Sequence, residues 1–187
     1  MARPPKARAP LKLAALQLFV ESGVHATGIR EIAKHAGCSE AALYRHWANK
    51  EALVGSLFRE HLGEVTRILD EAIAAAPTIE GKVIAATEAC YRLYDEQPLV
   101  FRFVLLVQHE LAKTLESELR MPQDVVVDLV KAAIATGEAK GDAALMSAAL
   151  VGVFLQTATY VLYGRLPGPL MAYVDPVAKT ALRILRG

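Results

Sequence analysis

The sequence predicts an all-α fold of about nine helices, and three observations predict it. Apolar residues recur three and four positions apart along almost the whole 187-residue chain, which is the period of a helix face. Runs of β-branched residues alternating with polar ones are missing, so no stretch reads as a half-buried strand. Capping residues and glycine or proline stops punctuate the periodic stretches at helix-length intervals. With 53% hydrophobic and 22% charged residues, the chain can fill a core and lacks the composition of a disordered segment or an acidic tail.

The elements follow in order. A first helix covers about 9–22, with Leu13, Leu16 and Val20 on one stripe, and Gly23 stops it. Thr27 is positioned to cap a second helix over about 28–36, which Gly37 closes. Ser39 caps a short third helix through Trp47, and Asn49 caps a long fourth one from Lys50 to about Ala76, where Pro77 interrupts. Thr78 opens a fifth, with Val83, Thr87, Cys90 and Tyr94 on one side, stopped ahead of Pro98. The apolar positions from Leu99 to Leu119 read as one broken helix or two. Pro122 starts the next, reaching about Gly137. Asp142 caps a long apolar helix to about Tyr163, Pro167-Gly168-Pro169 is a turn, and Asp175-Pro176 signals a last helix ending near Arg186.

From Ala143 to Gly164 no residue is charged, a length that can span a bilayer. Ser147, Gln156, Thr157 and Thr159 interrupt it, and no basic cluster or aromatic belt brackets both ends. Burial in a core or a subunit interface accounts for such a helix equally well, and no membrane association is expected. Cys38 and Cys90 make neither a disulfide framework nor a CxxC clasp. The first ten residues, MARPPKARAP, are not followed by an apolar core at signal-peptide spacing. Both observations point to a reducing, cytoplasmic setting.

Charge is unevenly spread. The chain carries 21 basic and 20 acidic residues, a net charge of +1. Within residues 1–50, however, eight basic side chains (Arg3, Lys6, Arg8, Lys12, Arg30, Lys34, Arg45, Lys50) face only Glu21, Glu31 and Glu40. That surplus of five leaves the remainder with four negative charges. A basic module that meets a polyanion, attached to an acidic body that does not, has this signature; so does a solvated tail.

The region from Thr27 to Lys50 decides between them. Two short helices separated by Gly37-Cys38-Ser39 have the spacing of a helix-turn-helix, with small Ala33 at the crossing. Leu43 and Trp47, one turn apart, pack the second helix on Ile29, Ile32 and the first long helix, leaving Glu40, Ala41, Tyr44, Arg45 and Ala48 outward. A face so short and so rich in small residues suits a groove. Ala41 admits the backbone to base edges and a thymine methyl, Arg45 matches guanine, and Glu40 accepts from cytosine. Tyr44, His46 and Lys50 are donors of the phosphate type, which position rather than specify. Thr27 and Ser39 mark helix starts, whose N–H groups favour anions.

The string AALQLFVESGVHATGIREIAKHAGCSEAALYRHWANKEAL, Ala14 to Leu53, resembles the DNA-binding domain of the TetR family of transcriptional regulators. The resemblance rests on Leu18-Phe19, Gly23, Ala26-Thr27, Ile32-Ala33, Ala36-Gly37, Ser39, Leu43-Tyr44, His46, Lys50-Glu51 and Leu53, with Trp47 where phenylalanine is usual. It implies residues 1–53 as a DNA-binding domain and 54–187 as a helical effector-binding and dimerisation domain. It also implies a homodimer that reads a palindrome in double-stranded DNA, and repression relieved by a small molecule. By position, phosphate contacts fall on Thr27, Tyr44, His46 and Lys50, and base-reading positions on Glu40, Ala41, Ala42 and Arg45. The basic arm Arg3, Lys6, Arg8 is placed to reach an adjacent groove or backbone.

Beyond the motif, the two C-terminal helices resemble the family's dimer-forming pair, with Val151, Phe154, Leu155, Leu162, Ala181 and Leu185 as interface candidates. Tyr91, Tyr94, Arg102, Phe103, Gln108, Met121, Gln156 and Tyr160 are candidates for an apolar effector cavity with a few polar anchors, or else core. No cofactor or metal is expected. No Glu has a His three residues later, HExxH is missing, and so are GxSxG, Walker and GxGxxG strings, so an enzyme is not expected. A DNA-binding regulator without a small-molecule effector, and a helical ligand-binding protein, are the alternatives.

Overall fold

The computed structural model of the chain describes residues 7–115 and 119–187, and the side chains among them other than those of Leu106 and 108–115. Nine α-helices and one 3-10 turn make up the described residues, and no strand occurs among them. They are α1 (Arg8–Ser22), α2 (Ile29–His35), α3 (Glu40–Tyr44), α4 (Lys50–Ala75) and α5 (Ile79–Glu96), then α6 (Pro98–Leu115), α7 (Pro122–Ala135), α8 (Ala143–Leu162) and α9 (Val174–Arg186), with the 3-10 turn at Leu170–Tyr173. The described residues fall into two compact units, 7–61 with 99–115, and 62–98 with 119–187. The sequence boundary at residue 53 therefore falls inside α4, which contributes its first part to one unit and its remainder to the other.

In the first unit, α1 buries Leu11, Ala14, Ala15, Leu16, Leu18 and Phe19. The expected stripe is corrected here: Leu13 is half exposed, because the buried face of α1 runs through Leu11, Ala15 and Leu18. Phe19 stacks on Phe103 of α6, ring centroids 6.1 Å apart. Gly23 ends α1 at φ 86°, and its N–H donates to the Phe19 carbonyl. The cap of α2 is also corrected. Gly28 holds that position without a side-chain bond, because the Thr27 hydroxyl is spent elsewhere. Between α2 and α3 the chain turns through Gly37 at φ 63°, with Cys38 N–H on the Ala33 carbonyl at 2.8 Å.

In the second unit, α5, α7, α8 and α9 share one core. Val83, Val130, Ala133, Leu150, Ala181 and Leu185 are its most buried members. Side-chain caps form where the sequence places them: Thr78 Oγ1 accepts from Gly81 N–H (3.0 Å), and Asp142 Oδ1 from Leu145 N–H (2.8 Å). The last helix differs from expectation. It starts at Val174, straight out of the 3-10 turn, so Asp175 lies in the first turn and is not the cap. The Asp95 carboxylate, at the end of α5, holds that 3-10 turn by accepting from the N–H groups of Leu170 (2.9 Å) and Met171 (2.8 Å). Arg120 joins Asp70 of α4 (3.0 Å) to Asp128 of α7 (2.7 Å), and these carboxylates raise its pKa.

Candidate nucleic-acid interface

The short helix α3 is built to present one face. Ser39 adopts an extended conformation and its hydroxyl accepts from Ala42 N–H at 3.2 Å, starting the helix. Regular α-helix ends at Tyr44, but His46 and Trp47 both donate N–H to the Leu43 carbonyl (2.9 and 3.0 Å), so the turn runs on to Trp47 as the sequence suggests. Leu43 and Trp47 are buried, and Arg8 of α1 lies over the Trp47 ring, its guanidinium carbon 5.8 Å from the centroid. Facing the other way, Glu40, Ala41, Tyr44 and Arg45 are exposed, Tyr44 by half its area. This face can enter a groove and carries one acceptor, one small residue, one phenol and one guanidinium.

Three of the expected contacts are placed otherwise. Ala42 is 6% exposed, because a 3.6-residue period puts it on the side of Leu43 and not of Ala41; it packs inward and reads no base. Thr27 is 1% exposed. Its hydroxyl donates to the carbonyls of Gly23 (2.8 Å) and Leu18 (3.2 Å), which makes it a fastener for the end of α1 and not a surface donor. Lys50, half-buried at the start of α4, donates from Nζ to the carbonyls of Val24 (2.9 Å), Thr27 (3.1 Å) and His25 (3.3 Å). His46 is half-buried, its ring tilted against Trp47 at 5.4 Å. Arg30 and Lys34 stand exposed on α2. Arg3 and Lys6 of the basic arm lie outside the described residues.

Comparison with known proteins covers the same stretch of chain. The family model described as bacterial regulatory proteins, tetR family, matches residues 13–57, the stretch that forms α1 to α3 and the start of α4. The chain is 28% identical over 195 aligned residues to the HTH-type transcriptional repressor KstR2 of Mycolicibacterium smegmatis, covering 99% of this chain and 91% of that one. Residues 13–57 are a TetR-family DNA-binding region. The chain is a DNA-binding transcriptional regulator. The HTH-type transcriptional activator FasR of the same organism is 25% identical over 82% of this chain and 71% of its own. Among solved structures, the fatty acid degradation regulator FadR of Bacillus halodurans matches with a TM-score of 0.83 at 23% identity, over 97% of each chain. FadR of Bacillus subtilis, solved in complex with stearoyl-CoA, matches at 0.79 and 22%, over 93% of this chain and 97% of that one.

Beyond the TetR-type region the effector candidates are scattered. Phe103 packs in the first unit against Phe19, and Arg102, Gln156 and Tyr160 are exposed, so these four correct the expected cavity lining. The Gln108 side chain lies outside the described ones. Tyr91, Tyr94 and Met121 are buried. Tyr91 donates its hydroxyl to the Phe154 carbonyl at 3.4 Å, and burial pushes its pKa up to about 12. A cavity of about 40 Å³ does exist in the second unit, and aliphatic residues form most of its wall: Leu69, Ile73, Val83, Ala86, Cys90, Val126, Leu129, Leu150 and Phe154. Aromatic and polar anchors do not mark it, because nothing in an aliphatic stripe distinguishes cavity wall from core. Burial among these groups pushes the Cys90 thiol up to about 12, which leaves it inert.

The interface candidates divide in the same way. Val151, Phe154, Leu155 and Leu162 are half-buried on α8, whereas Ala181 and Leu185 are buried in their own chain's core. That corrects the last two: α9 has spent its apolar stripe internally and shows Asp175, Lys179, Thr180 and Arg183 outward. By contrast α8, by length and composition apolar enough to cross a membrane, has only 22% of its most apolar window buried. Leu145, Ala148, Gly152, Gln156, Tyr160 and Tyr163 lie open along it.

Proposed function

We propose that this regulator is a homodimeric repressor that binds a palindromic operator through α3 and leaves it when an apolar small molecule enters the second unit. In this reading residues 1–53 are the DNA-binding domain and 54–187 the effector-binding and dimerisation domain. The exposed quartet Glu40, Ala41, Tyr44 and Arg45 carries the reading, because it is a groove-sized face backed by a fully packed Leu43 and Trp47. Base contacts are assigned to Glu40, Ala41 and Arg45, and backbone contacts to Tyr44, His46 and the Ser39 turn. The open apolar face of α8 is covered by a second copy, which brings two α3 helices to two half-sites. That use of α8 needs no lipid, and the protein acts in the cytoplasm as a regulator and not an enzyme.

The cavity, about 40 Å³, would have to widen to admit such a ligand, but its aliphatic wall suits a hydrocarbon chain, and the stearoyl-CoA held by a structural relative carries one. Selection of bound duplexes from random DNA tests the DNA reading: an inverted repeat is expected, and recovery of no sequence preference refutes it. Release of the recovered operator by acyl-CoA esters tests the effector. If none stabilises the protein in thermal shift or releases the operator, a regulator without small-molecule control replaces this reading.

A further inference from the structure

We infer that Asp95 is a positioning residue for the subunit contact: its carboxylate pins the connection between α8 and α9, and with it the end of the open α8 face. The inference rests on the dimer reading and deepens it. Asp95 breaks a local rule, because it lies in the last turn of α5, where the helix dipole disfavours a carboxylate, and no basic residue shares that turn. Donors from far along the chain compensate. Oδ1 accepts from Leu170 N–H at 2.9 Å and Oδ2 from Met171 N–H at 2.8 Å, so both oxygens are engaged by successive N–H groups of the 3-10 turn. These are charge-assisted bonds, which a neutral side chain reproduces only in part. Leu170, at the head of the turn, is fully buried and holds it from the other side. From this anchor the connection runs back to α8. The Tyr173 hydroxyl donates to the Pro167 carbonyl at 2.9 Å, and a Cβ on Gly168 would lie 3.8 Å from Val161 of α8. The Tyr160 carbonyl accepts from the N–H groups of Arg165 (2.8 Å) and Leu166 (3.1 Å), and the Arg165 guanidinium carbon lies 5.6 Å from the centre of the Tyr160 ring. Tyr160 and Tyr163 stand exposed at this end of α8. A continuous set of contacts therefore leads from one carboxylate on α5 to the aromatic end of the face assigned to a second copy. Without that carboxylate, the connection has to be ordered afresh whenever two copies meet, and the cost falls on association.

Hydrogen exchange of the full-length wild-type protein, resolved to single amides by NMR, tests the anchor without any variant. Leu170 and Met171 should be protected at least about tenfold more than Lys140 and Gly141 in the exposed α7–α8 connection, because bonded amides must first open. Equal protection overturns the inference. The D95N variant keeps the shape and one acceptor, but it removes the charge and turns an NH2 group toward a backbone N–H. Its dimer dissociation constant, from sedimentation equilibrium well below the melting temperature, should rise at least about tenfold, the worth of one charge-assisted bond. Exchange should quicken at 160–166 as well as at 170–171, and stay unchanged at 145–152 near the start of α8. A carboxylate that only caps its own turn predicts a lower melting temperature with an unchanged dissociation constant and unchanged exchange at 160–166. That pattern overturns the inference. Y173F removes a second tie of the same connection, a surface bond whose loss does not endanger folding, and should raise the dissociation constant about two- to tenfold. Should D95N fail to fold, an unchanged dissociation constant in Y173F overturns the inference in its place. A wild-type protein that sediments as a monomer at every concentration refutes the dimer reading and takes this inference with it, whereas a wild-type dimer indifferent to D95N refutes this inference alone.

Discussion

Replacing Thr27 by valine separates a surface donor from an internal fastener. Valine keeps the branched shape and removes only the hydroxyl. That hydroxyl has a single hydrogen, so of its two acceptors, Gly23 at 2.8 Å and Leu18 at 3.2 Å, it serves chiefly the nearer. The loss is therefore one neutral hydrogen bond plus a carbonyl left without its partner beside a side chain that is 1% exposed, about 1–2 kcal/mol. For a chain of 187 residues unfolding as a unit, that lowers the melting temperature by roughly 2–8 °C. Thr27→Ser keeps the donor and drops a methyl, costing about 0.8 kcal/mol. Circular dichroism melts at fixed protein concentration, with operator affinity measured in parallel well below the transition, provide the assay. Thr27→Val should melt early and bind operator with an unchanged salt slope. A wild-type melt combined with weaker binding and a shallower slope would refute the reasoning and return Thr27 to the phosphates.

Arg45→Ala should relax base preference at one operator position, costing about 1–3 kcal/mol if the guanidinium bonds a guanine, whereas equal losses on every sequence would make it a backbone contact. Gly152→Glu tests the face of α8: a Cβ there meets nothing within 4 Å in its own chain, so the monomer should fold as well or better. Sedimentation should nevertheless show monomers, with operator affinity lost, and a persistent dimer contradicts the interface. The Glu60 carboxylate is held below its ordinary range chiefly by its hydrogen bond from Lys12, which ties α4 to α1. A depressed folded pKa contributes stability that is present above the unfolded value of about 4.3 and lost as pH falls through the folded one. Glu60→Gln should therefore cost at most about 0.2–1 kcal/mol at pH 7, less at pH 3, in urea titrations; an equal cost at both pH values excludes this pair.

The fold was legible because it rests on local signals. Ser39, Thr78 and Asp142 each cap the helix that their spacing announces, and Pro98 and Pro122 each sit at a helix start. The outward residues of α3 followed from period alone. What failed depended on the partner of a side chain, which no period encodes. Thr27 and Lys50 have the chemistry of phosphate donors, and only the path of the segment between Gly23 and Gly28 shows that it takes hydrogen bonds from both. Ala181 and Leu185 looked like interface because an amphipathic helix does not say which protein its stripe will meet. Arg8 reads as part of a groove-reaching arm for the reverse reason, since nothing in a basic arm says that one member will lie on a tryptophan. The cavity escaped because its wall is core-like in every residue.

These corrections change what one module can do on DNA. Of the six cations among the described residues up to 50, Lys12 is paired with Glu60, Lys50 donates to carbonyls of its own chain, and Arg8 covers Trp47, which leaves Arg30, Lys34 and Arg45 exposed without such a tie. Each phosphate neutralised adds only about 0.9 to the salt exponent, so three such cations give weak attraction at physiological ionic strength. The exposed face of α3 is equally modest, with four side chains of which one is an alanine. Among the described residues, a single copy thus offers few free cations to hold an operator. Joining two copies makes the second contact intramolecular and raises its effective concentration to the millimolar range without any new side chain. The uncharged, largely unburied face of α8 is suited to make that connection in the proposed homodimer, which would offset the small number of free cations on each copy.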